Sequence, residues 1–286
     1  MKGSAVDWLR LARIEHAFMV AIAIVISEAL TAKYMGIFFY PFSLAAIFPA
    51  LGPFFITAAA FMLNDYFGYE TDLANRRLDR PIVAKKIVRG DALRASVFLF
   101  ALGLLLALFV NIYCFAIALL FTFLSATYDN YLKKKPLLGN AYIAGSMAVS
   151  FIYGNFAVSG ELQGIIALFV AISFLAGMGR ELIITLRDVR GDRKIGARTL
   201  PMIIGGKATL ILSSAFFGLS ILLSWLPING NYFSPYAALI AMNNLLLAYC
   251  IYRLMDRPSE KSFKAARDLS LLALLIGLLA FATLAI

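Results

Sequence analysis

Oxygen-bearing side chains suited to a metal ion concentrate in two separate segments of this chain. The first segment contains Asn64, Asp65 and Asp72, and the second contains Asp188 and Asp192. Mg²⁺ accepts carboxylate and amide oxygens as ligands, and it is usually bound jointly with substrate phosphates. Lys and Arg residues beside both segments would bind the remaining phosphate oxygens. The two segments together predict a magnesium–diphosphate site.

The composition places the chain in a membrane. It has 286 residues, of which 62% are apolar and 15% charged, and its mean hydropathy is +0.85. Soluble domains average about a quarter charged residues, and a soluble chain of this length could not hide so much apolar surface from water. Cys114 and Cys250 lie in apolar runs, which predicts buried thiols and excludes a disulfide scaffold. A single histidine argues against a histidine-ligated metal.

Apolar runs between charged or Pro/Gly-marked breaks predict an all-α, polytopic membrane protein of nine helices. At about 20 residues for each spanning helix, the chain has room for that number. Pro49 and Pro53 are expected to kink the second helix. The predicted helices cover residues 14–33, 43–63, 93–110, 112–128, 138–158, 163–184, 207–226, 234–254 and 268–286.

The distribution of basic residues supports nine helices and gives an orientation. With a cytoplasmic N-terminus, all but Lys33 of the 26 Lys and Arg residues fall on the cytoplasmic side. The first long apolar run, which starts near His16, is then a retained helix and not a cleaved signal. The net charge of +10 therefore indicates topology and contact with anionic lipid headgroups, not binding to nucleic acid.

Both acidic segments follow predicted helices that run toward the cytoplasm, four helices apart. This spacing predicts one membrane-embedded domain of two four-helix halves, about 14–128 and 138–254, plus the ninth helix. If each segment continues its helix, its polar residues share one face, and that face should line a central cavity that opens to the cytoplasmic side. The two faces are Asn64, Asp65, Gly68 and Asp72 in the first segment and Thr185, Asp188 and Asp192 in the second.

Two other interpretations of the acidic segments stay open from the residues alone. Carboxylates at helix ends are often salt-bridged loop residues without a catalytic role. A transporter with an ion site is the other alternative, although such sites usually lie near the membrane midplane on broken helices. The carboxylates of this chain are predicted to lie at one face of the membrane.

Three ordered motifs resemble those of the UbiA superfamily of intramembrane prenyltransferases, whose members have nine helices. The resemblance extends over nearly the whole chain. It departs from the family pattern at Gly68, where an aspartate is usual, at Thr185, where many members have another acid, and at His16, where asparagine is common. The matching residues are Asn64, Asp65, Asp72, Arg80 and Pro81 in the first motif, Tyr128, Lys133, Gly139 and Asn140 in the middle loop, and Arg180, Glu181, Asp188, Asp192, Gly196, Thr199, Leu200 and Pro201 in the last motif.

This resemblance implies transfer of an isoprenoid from its diphosphate to a lipophilic acceptor, with Mg²⁺ as cofactor. Mg²⁺ and basic residues would stabilise the leaving diphosphate, and the lipid-embedded bundle would keep water from the allylic cation. The implied metal ligands are Asn64, Asp65, Asp72, Asp188 and Asp192. The implied substrate-binding residues are Arg13, Asn64, Arg80, Tyr128, Lys133, Lys194 and Arg198, and those expected to be catalytic are Asp72, Lys133 and Asp188.

The residues of the motifs are most similar to those of an archaeal branch of the family. That branch transfers a geranylgeranyl group to geranylgeranylglyceryl phosphate in ether-lipid synthesis, and a surplus of basic residues suits an acceptor that carries a phosphate. One alternative is an aromatic prenyltransferase of quinone, chlorophyll or haem biosynthesis. Another is a non-catalytic transporter or lipid-binding relative, marked by Gly68. No obligate protein partner is inferred.

Overall fold

All regular elements in the described part of the chain are helices, as the apolar pattern predicts. The structure is a computed structural model that describes residues 3–74, 77–129, 131–194, 196, 198–228 and 230–285, apart from the side chains of residues 74, 134, 190, 194 and 260. Two short 3₁₀ turns lie at Leu132–Lys134 and Leu226–Ile228. The helices are α1 (Ala5–Ala12), α2 (Ile14–Tyr34), α3 (Leu44–Phe67), α4 (Tyr69–Ala74), α5 (Arg89–Val110), α6 (Ile112–Tyr128), α7 (Leu138–Val158), α8 (Gly164–Lys194), α9 (Leu200–Ile204), α10 (Gly206–Ser224), α11 (Pro235–Asp256) and α12 (Glu260–Ala285).

Eight helices of the described residues are long and apolar enough to cross a membrane. They are α2, α3, α5, α7, α8, α10, α11 and α12. Helix α6 is also apolar but has 17 residues, the lower end of the range of about 17–25 residues for a spanning helix. The predicted multi-pass helical fold is confirmed, whereas the count of nine spans is not confirmed by this length criterion.

Four helices extend beyond their predicted ends by four residues or more. Helix α3 continues to Phe67, α5 begins at Arg89, α8 continues to Lys194 and α12 begins at Glu260. Apolar patterning marks only the part of a helix that contacts lipid or core, because polar residues outside the hydrocarbon layer keep the same backbone hydrogen bonds. The charged turns at these ends are therefore helical, and they carry much of the candidate site.

The two acidic segments differ in backbone structure. Helix α8 continues through the whole second segment. In the first segment α3 ends at Phe67, and α4 begins after Gly68. The Gly68 amide donates to the Asn64 carbonyl at 2.8 Å, and the Asp72 amide donates to the Gly68 carbonyl at 2.9 Å. The condition for a shared polar face, a helix that continues through the segment, is therefore met in the second segment; in the first, a glycine, a poor helix former, separates α3 from α4.

The spanning helices pack around a central cavity. Helix α3 packs against α2 and α5, α7 packs against α2 and α8, and α12 packs against α2, α8 and α11. A close approach of α3 and α5 requires glycine, because a Cβ on Gly103 would lie 2.7 Å from the Gly52 carbonyl oxygen. Cys114 and Cys250 are buried free thiols, as predicted.

Candidate active site

A cavity of about 530 Å³ lies inside the bundle, and its two ends differ in chemistry. Its interior walls are apolar, with Met19, Ile117, Phe151, Leu274 and Phe281 among them. Its charged residues come from the parts of the helices and loops near the acidic segments. A site of this volume and composition suits an amphiphile with an anionic head and a hydrocarbon tail. The charged residues that line it are Arg13, Arg77, Arg80, Asp129, Lys133, Arg180, Glu181, Arg187, Asp188 and Arg267.

Asp65 holds two of these arginines in place. Its Oδ1 accepts hydrogen bonds from Arg13 Nη2 at 3.0 Å and from Arg80 Nη1 at 3.1 Å, and the Asp65 side chain is 2% exposed. Arg13 joins α1 to α2 with φ 45°, a left-handed conformation that is uncommon outside glycine. Its guanidinium also lies 4.5 Å from the centre of the Phe61 ring. Asp65 therefore faces two guanidinium groups that line the cavity.

Asp72 extends the same charge network along α4. Arg77 Nη1 lies 3.3 Å from Asp72 Oδ1, and Arg80 Nε lies 3.7 Å from Asp72 Oδ2. Arg80 consequently bridges Asp65 and Asp72, and its position depends on both carboxylates. The first segment is a set of alternating charges, with arginines on the cavity side.

Asp129 is a member of the site that the sequence analysis missed. Asn64 Nδ2 donates to Asp129 Oδ1 at 2.9 Å and to Oδ2 at 3.1 Å, and Lys133 Nζ lies 3.5 Å from Oδ1. Burial raises the pKa of the Asp129 carboxyl, and the Lys133 ammonium opposes this shift. The signal was its position: Asp129 follows Tyr128 directly and precedes Lys133 by four residues, a spacing typical of ion pairs in helices.

The second segment presents its carboxylates differently. Asp188 accepts hydrogen bonds from the adjacent Arg187 at 2.7 Å and 2.6 Å, and its side chain is 44% exposed. Burial, followed by the negative charge of Asp188, raises the pKa of Asp192 to about 6. Thr185 accepts a hydrogen bond from Asn140 Nδ2 at 2.7 Å, so this departure from the family pattern ties α8 to α7.

The cavity brings together six of the eleven predicted site residues. Asp65 and Asp72 contact the arginines of its lining, and Asp192 lies one turn beyond Asp188. Arg198 is exposed and outside the lining, and the Lys194 side chain lies outside the described residues. The six lining residues are Arg13, Asn64, Arg80, Tyr128, Lys133 and Asp188.

The donor set fits Mg²⁺ held together with substrate phosphates. Within the residues that the structure describes, no three His, Cys, Asp or Glu side chains are close enough to hold a metal by themselves. Mg²⁺ is typically bound by one or two carboxylates plus phosphate oxygens and waters, not by an all-protein cage. The half-buried Asp192, whose raised pKa reflects an unfavourable negative charge, and the nearby Asp188 suit such a cation.

Several charged residues of the lining received no individual role from the sequence. Arg180 Nη1 donates to Glu181 Oε1 at 3.2 Å, and both residues are buried. The signal for this pair was its place within an apolar helix, where ionisable residues are rare and usually functional. Arg267 lies inside α12, whereas the apolar pattern predicts a helix that starts one residue later, at position 268.

The bundle and the polar end of its cavity define a multi-pass membrane protein with a binding site for an anionic amphiphile. The model of the UbiA prenyltransferase family matches residues 20–275 of the chain. The chain therefore belongs to the UbiA prenyltransferase family, as the three motifs predict.

Relatives in archaea are similar over most of their length. Digeranylgeranylglyceryl phosphate synthase of Archaeoglobus fulgidus is 31% identical over 95% of this chain and 92% of its own. That of Thermococcus kodakarensis is 36% identical over 69% of this chain and 71% of its own. A solved structure from work on digeranylgeranylglyceryl phosphate synthase in membranes is 28% identical to this chain, with a TM-score of 0.75. The match covers 98% of this chain and 97% of that one.

A more distant structure shares the fold. A UbiA homologue from Archaeoglobus fulgidus, solved with DMAPP and Mg²⁺ bound, is 17% identical, with a TM-score of 0.66 over 96% of this chain and 99% of that one. The same homologue has also been solved with GPP and Mg²⁺. Those ligands belong to that protein, and the likeness to this chain is one of fold.

Proposed function

We propose that this chain transfers a geranylgeranyl group from its diphosphate to geranylgeranylglyceryl phosphate and forms an ether bond, with Mg²⁺ as cofactor. The observation that carries the proposal is one cavity whose polar end unites cations and both acidic segments and whose interior is apolar. Relatives named for this product, 31% identical over 95% of the chain, support the choice of substrates.

The diphosphate of the donor binds to the cations near the first acidic segment. Arg13, Arg80 and Lys133 line the cavity, and each is held by a carboxylate, Asp65 or Asp129. Such pairs fix the cations before the substrate arrives, so little reorganisation is needed when negative charge develops on the leaving group. Tyr128 lines the cavity beside Asp129 and can donate a hydrogen bond to the same anion.

The residues that would hold Mg²⁺ are Asn64, Asp72, Asp188 and Asp192. Asn64 uses its amide nitrogen for Asp129, which leaves its oxygen for the ion. The contacts of Asp65 with Arg13 and Arg80 favour an orienting role for that residue over direct ligation. Bound Mg²⁺ supplies positive charge that neutralises the diphosphate as it leaves.

The apolar part of the cavity protects the allylic cation. The rings of Tyr128 and Tyr142 lie 5.0 Å apart near the polar end, and aromatic faces stabilise positive charge. Deeper walls such as Phe151 and Phe281 exclude water, which would otherwise hydrolyse the intermediate. The cation forms when the bond from the allylic carbon to the diphosphate oxygen breaks; the acceptor hydroxyl oxygen then bonds to that carbon, and its proton passes to the departed diphosphate.

A transfer assay tests this function. Purified protein in detergent receives radiolabelled geranylgeranyl diphosphate and one acceptor from a panel that includes geranylgeranylglyceryl phosphate and aromatic acceptors, with Mg²⁺ or with EDTA. We expect a lipid ether product with the glyceryl phosphate acceptor, and no product in EDTA. Transfer to an aromatic acceptor alone would replace the proposed acceptor, and an absence of transfer to every acceptor would contradict an enzymatic role.

We further propose that the N-terminus and both acidic segments face the cytoplasm, because all but one of the basic residues then lie on that side. Single cysteines at the exposed positions Leu73 and Phe233 test this orientation in a background without Cys114 and Cys250. In right-side-out vesicles a membrane-impermeant thiol reagent should label the position of Phe233 and spare that of Leu73. Labelling of both from one side would contradict the topology.

A further inference from the structure

Three arginines on α8 and α12 form a second cationic group in the cavity. We propose that this α8–α12 arginine group, Arg180, Arg187 and Arg267, binds the phosphate of the acceptor. The inference rests on the proposed function and deepens it, since it assigns the phosphate monoester of the acceptor lipid and the diphosphate of the donor to different sets of residues. All three arginines line the cavity.

The three side chains converge from two helices that pack together. Arg180 and Arg187 are seven residues apart on α8 and share one face of that helix. Helix α12 packs against α8, so Arg267 on α12 and the two arginines of α8 line the same cavity. The cations near the first segment, in contrast, come from the start of α2, the loop after α4 and the turn after α6.

Arg180 has a hydrogen-bond donor without a partner. The residue is 8% exposed, its Nη1 donates to Glu181 Oε1 at 3.2 Å, and its buried Nε donates to no acceptor within the described residues. A buried donor without a hydrogen bond is unfavourable. The planar guanidinium can bind phosphate oxygens with several parallel N–H groups. A phosphate inside the cavity would satisfy this donor.

Two carboxylates that pair with the group, Glu181 and Asp188, line the cavity, so one of its three positive charges has no partner on the cavity side. Glu181 pairs with Arg180, Asp188 with Arg187, and Asp268 with Arg267. Asp268 lies outside the cavity lining and its side chain is 56% exposed, so Arg267 presents its charge to the cavity without its partner. Over the whole described lining, seven Lys or Arg residues face three Asp or Glu residues.

The chemistry of the acceptor requires a separate phosphate site. Glycerol has three carbons, so the attacking hydroxyl and the phosphate of geranylgeranylglyceryl phosphate lie no more than two carbons apart. The attacked carbon of the donor is bonded directly to its diphosphate. Two anions are therefore brought close together when the substrates react, and their repulsion must be offset by cations on both sides. The first-segment cations serve one anion, and the α8–α12 arginine group serves the other.

Kinetics with two acceptors test the assignment. Wild type and Arg267→Gln are compared with geranylgeranylglyceryl phosphate and with geranylgeranylglycerol, which lacks the phosphate. Arg267 is chosen because its side chain is 35% exposed, so its loss spares the folded core. We expect the KM for the phosphate acceptor to rise about tenfold or more in the variant, the size of one charged hydrogen bond. The KM for geranylgeranyl diphosphate should stay unchanged, and the two proteins should use geranylgeranylglycerol equally.

Two further variants serve as controls for that comparison. Lys264→Gln removes an exposed charge one turn earlier on α12 and should match wild type with every substrate. Arg267→Lys keeps the charge but loses the planar fork and should recover part of the affinity. A rise in the KM of the donor, or an equal loss with both acceptors, would overturn the assignment.

A binding measurement separates this inference from the proposed function. Labelled geranylgeranylglyceryl phosphate is titrated into each detergent-solubilised protein in the absence of donor. Weaker binding to Arg267→Gln than to Lys264→Gln supports the phosphate site even if no transfer occurs in the enzymatic assay. Equal affinities of the two variants overturn the site, even if the enzyme transfers prenyl groups as proposed.

Discussion

The two acidic segments occupy corresponding helix ends but have opposite structural characters. In the first, Asp65 is 2% exposed and contacts arginines from two other parts of the chain, and the helix is interrupted at Gly68. In the second, Asp188 is 44% exposed, contacts the adjacent Arg187 and lies on an uninterrupted helix. The side chains of the first segment are thus held in place before substrate binds, whereas those of the second can adjust. One rigid segment and one adaptable segment suit a site that must close around a diphosphate.

The largest effect is expected when one metal-binding charge is removed from either acidic segment. Asp72→Asn and Asp188→Asn should each lower the rate of prenyl transfer by about 10²–10³, the typical loss for one well-placed electrostatic contributor. The assay is turnover of purified protein at saturating donor. Asp91→Asn is the matched control, because its side chain is also 44% exposed and it lies outside the cavity. A loss below about tenfold in either variant would contradict its role.

The loss of stability caused by removing a carboxylate should differ between the two segments. Asp65→Asn leaves two arginines without their shared buried charge, and breaking a buried pair in this way typically costs about 3–5 kcal/mol. Asp188→Asn removes one partner of an exposed pair, for which a loss of up to about 1 kcal/mol is typical. The free energy of unfolding in detergent measures both. Equal losses in the two variants would show that the first segment is no more rigid than the second.

Sequence reasoning predicted helices better than contacts between them. Long apolar runs identify membrane helices because lipid imposes their length and polarity. Spacing along one helix also brought Asp188 and Asp192 to the same face. The pairing of Asp65 with Arg13 and Arg80 could not be predicted, because it depends on how α2, α3 and the loop after α4 pack.

Residues at the ends of apolar runs were the hardest to place. The apolar pattern places Arg267 in a loop, because charge and not backbone structure sets the predicted start of the ninth helix, yet Arg267 lies inside α12 and lines the cavity. The only sequence signal for Asp129 is its place beside Tyr128 and its four-residue spacing to Lys133, and such a spacing is common among acids without a functional role. Both residues became recognisable only through their neighbours in space, namely Arg180 and Asn64.

A double-mutant cycle sharpens the comparison at the level of single hydrogen bonds. In the first segment, Asn64→Ala and Asp129→Ala should be coupled by about 1.5 kcal/mol in kcat/KM, because the hydrogen bond from Asn64 reaches a buried charge. In the second segment, Asn140→Ala and Thr185→Val break a bond between neutral groups, and their coupling should be about 0.5 kcal/mol. Additive losses at Asn64 and Asp129 would mean that Asp129 does not orient Asn64.

A small effect is expected when a carboxylate is added to the first segment at Gly68. Its φ of −74° is open to any residue, so glycine is not required there by backbone conformation. A Cβ at this position would lie 2.9 Å from the Asn64 carbonyl oxygen and 3.8 Å from Asp72 Oδ2. Gly68→Asp therefore places a second negative charge beside Asp72, and Gly68→Ala is the control for the tight contact with the backbone.

The new charge should act in opposite directions with and without Mg²⁺. Two like charges about 4 Å apart repel by about 1 kcal/mol in water, so in EDTA Gly68→Asp should be less stable to unfolding than Gly68→Ala by about that amount. A cation bound between the two carboxylates gains the corresponding attraction, and the concentration of Mg²⁺ that half-saturates prenyl transfer should fall about fivefold in Gly68→Asp. If both variants show the same Mg²⁺ dependence, residue 68 does not face the metal, although it lies close to Asp72.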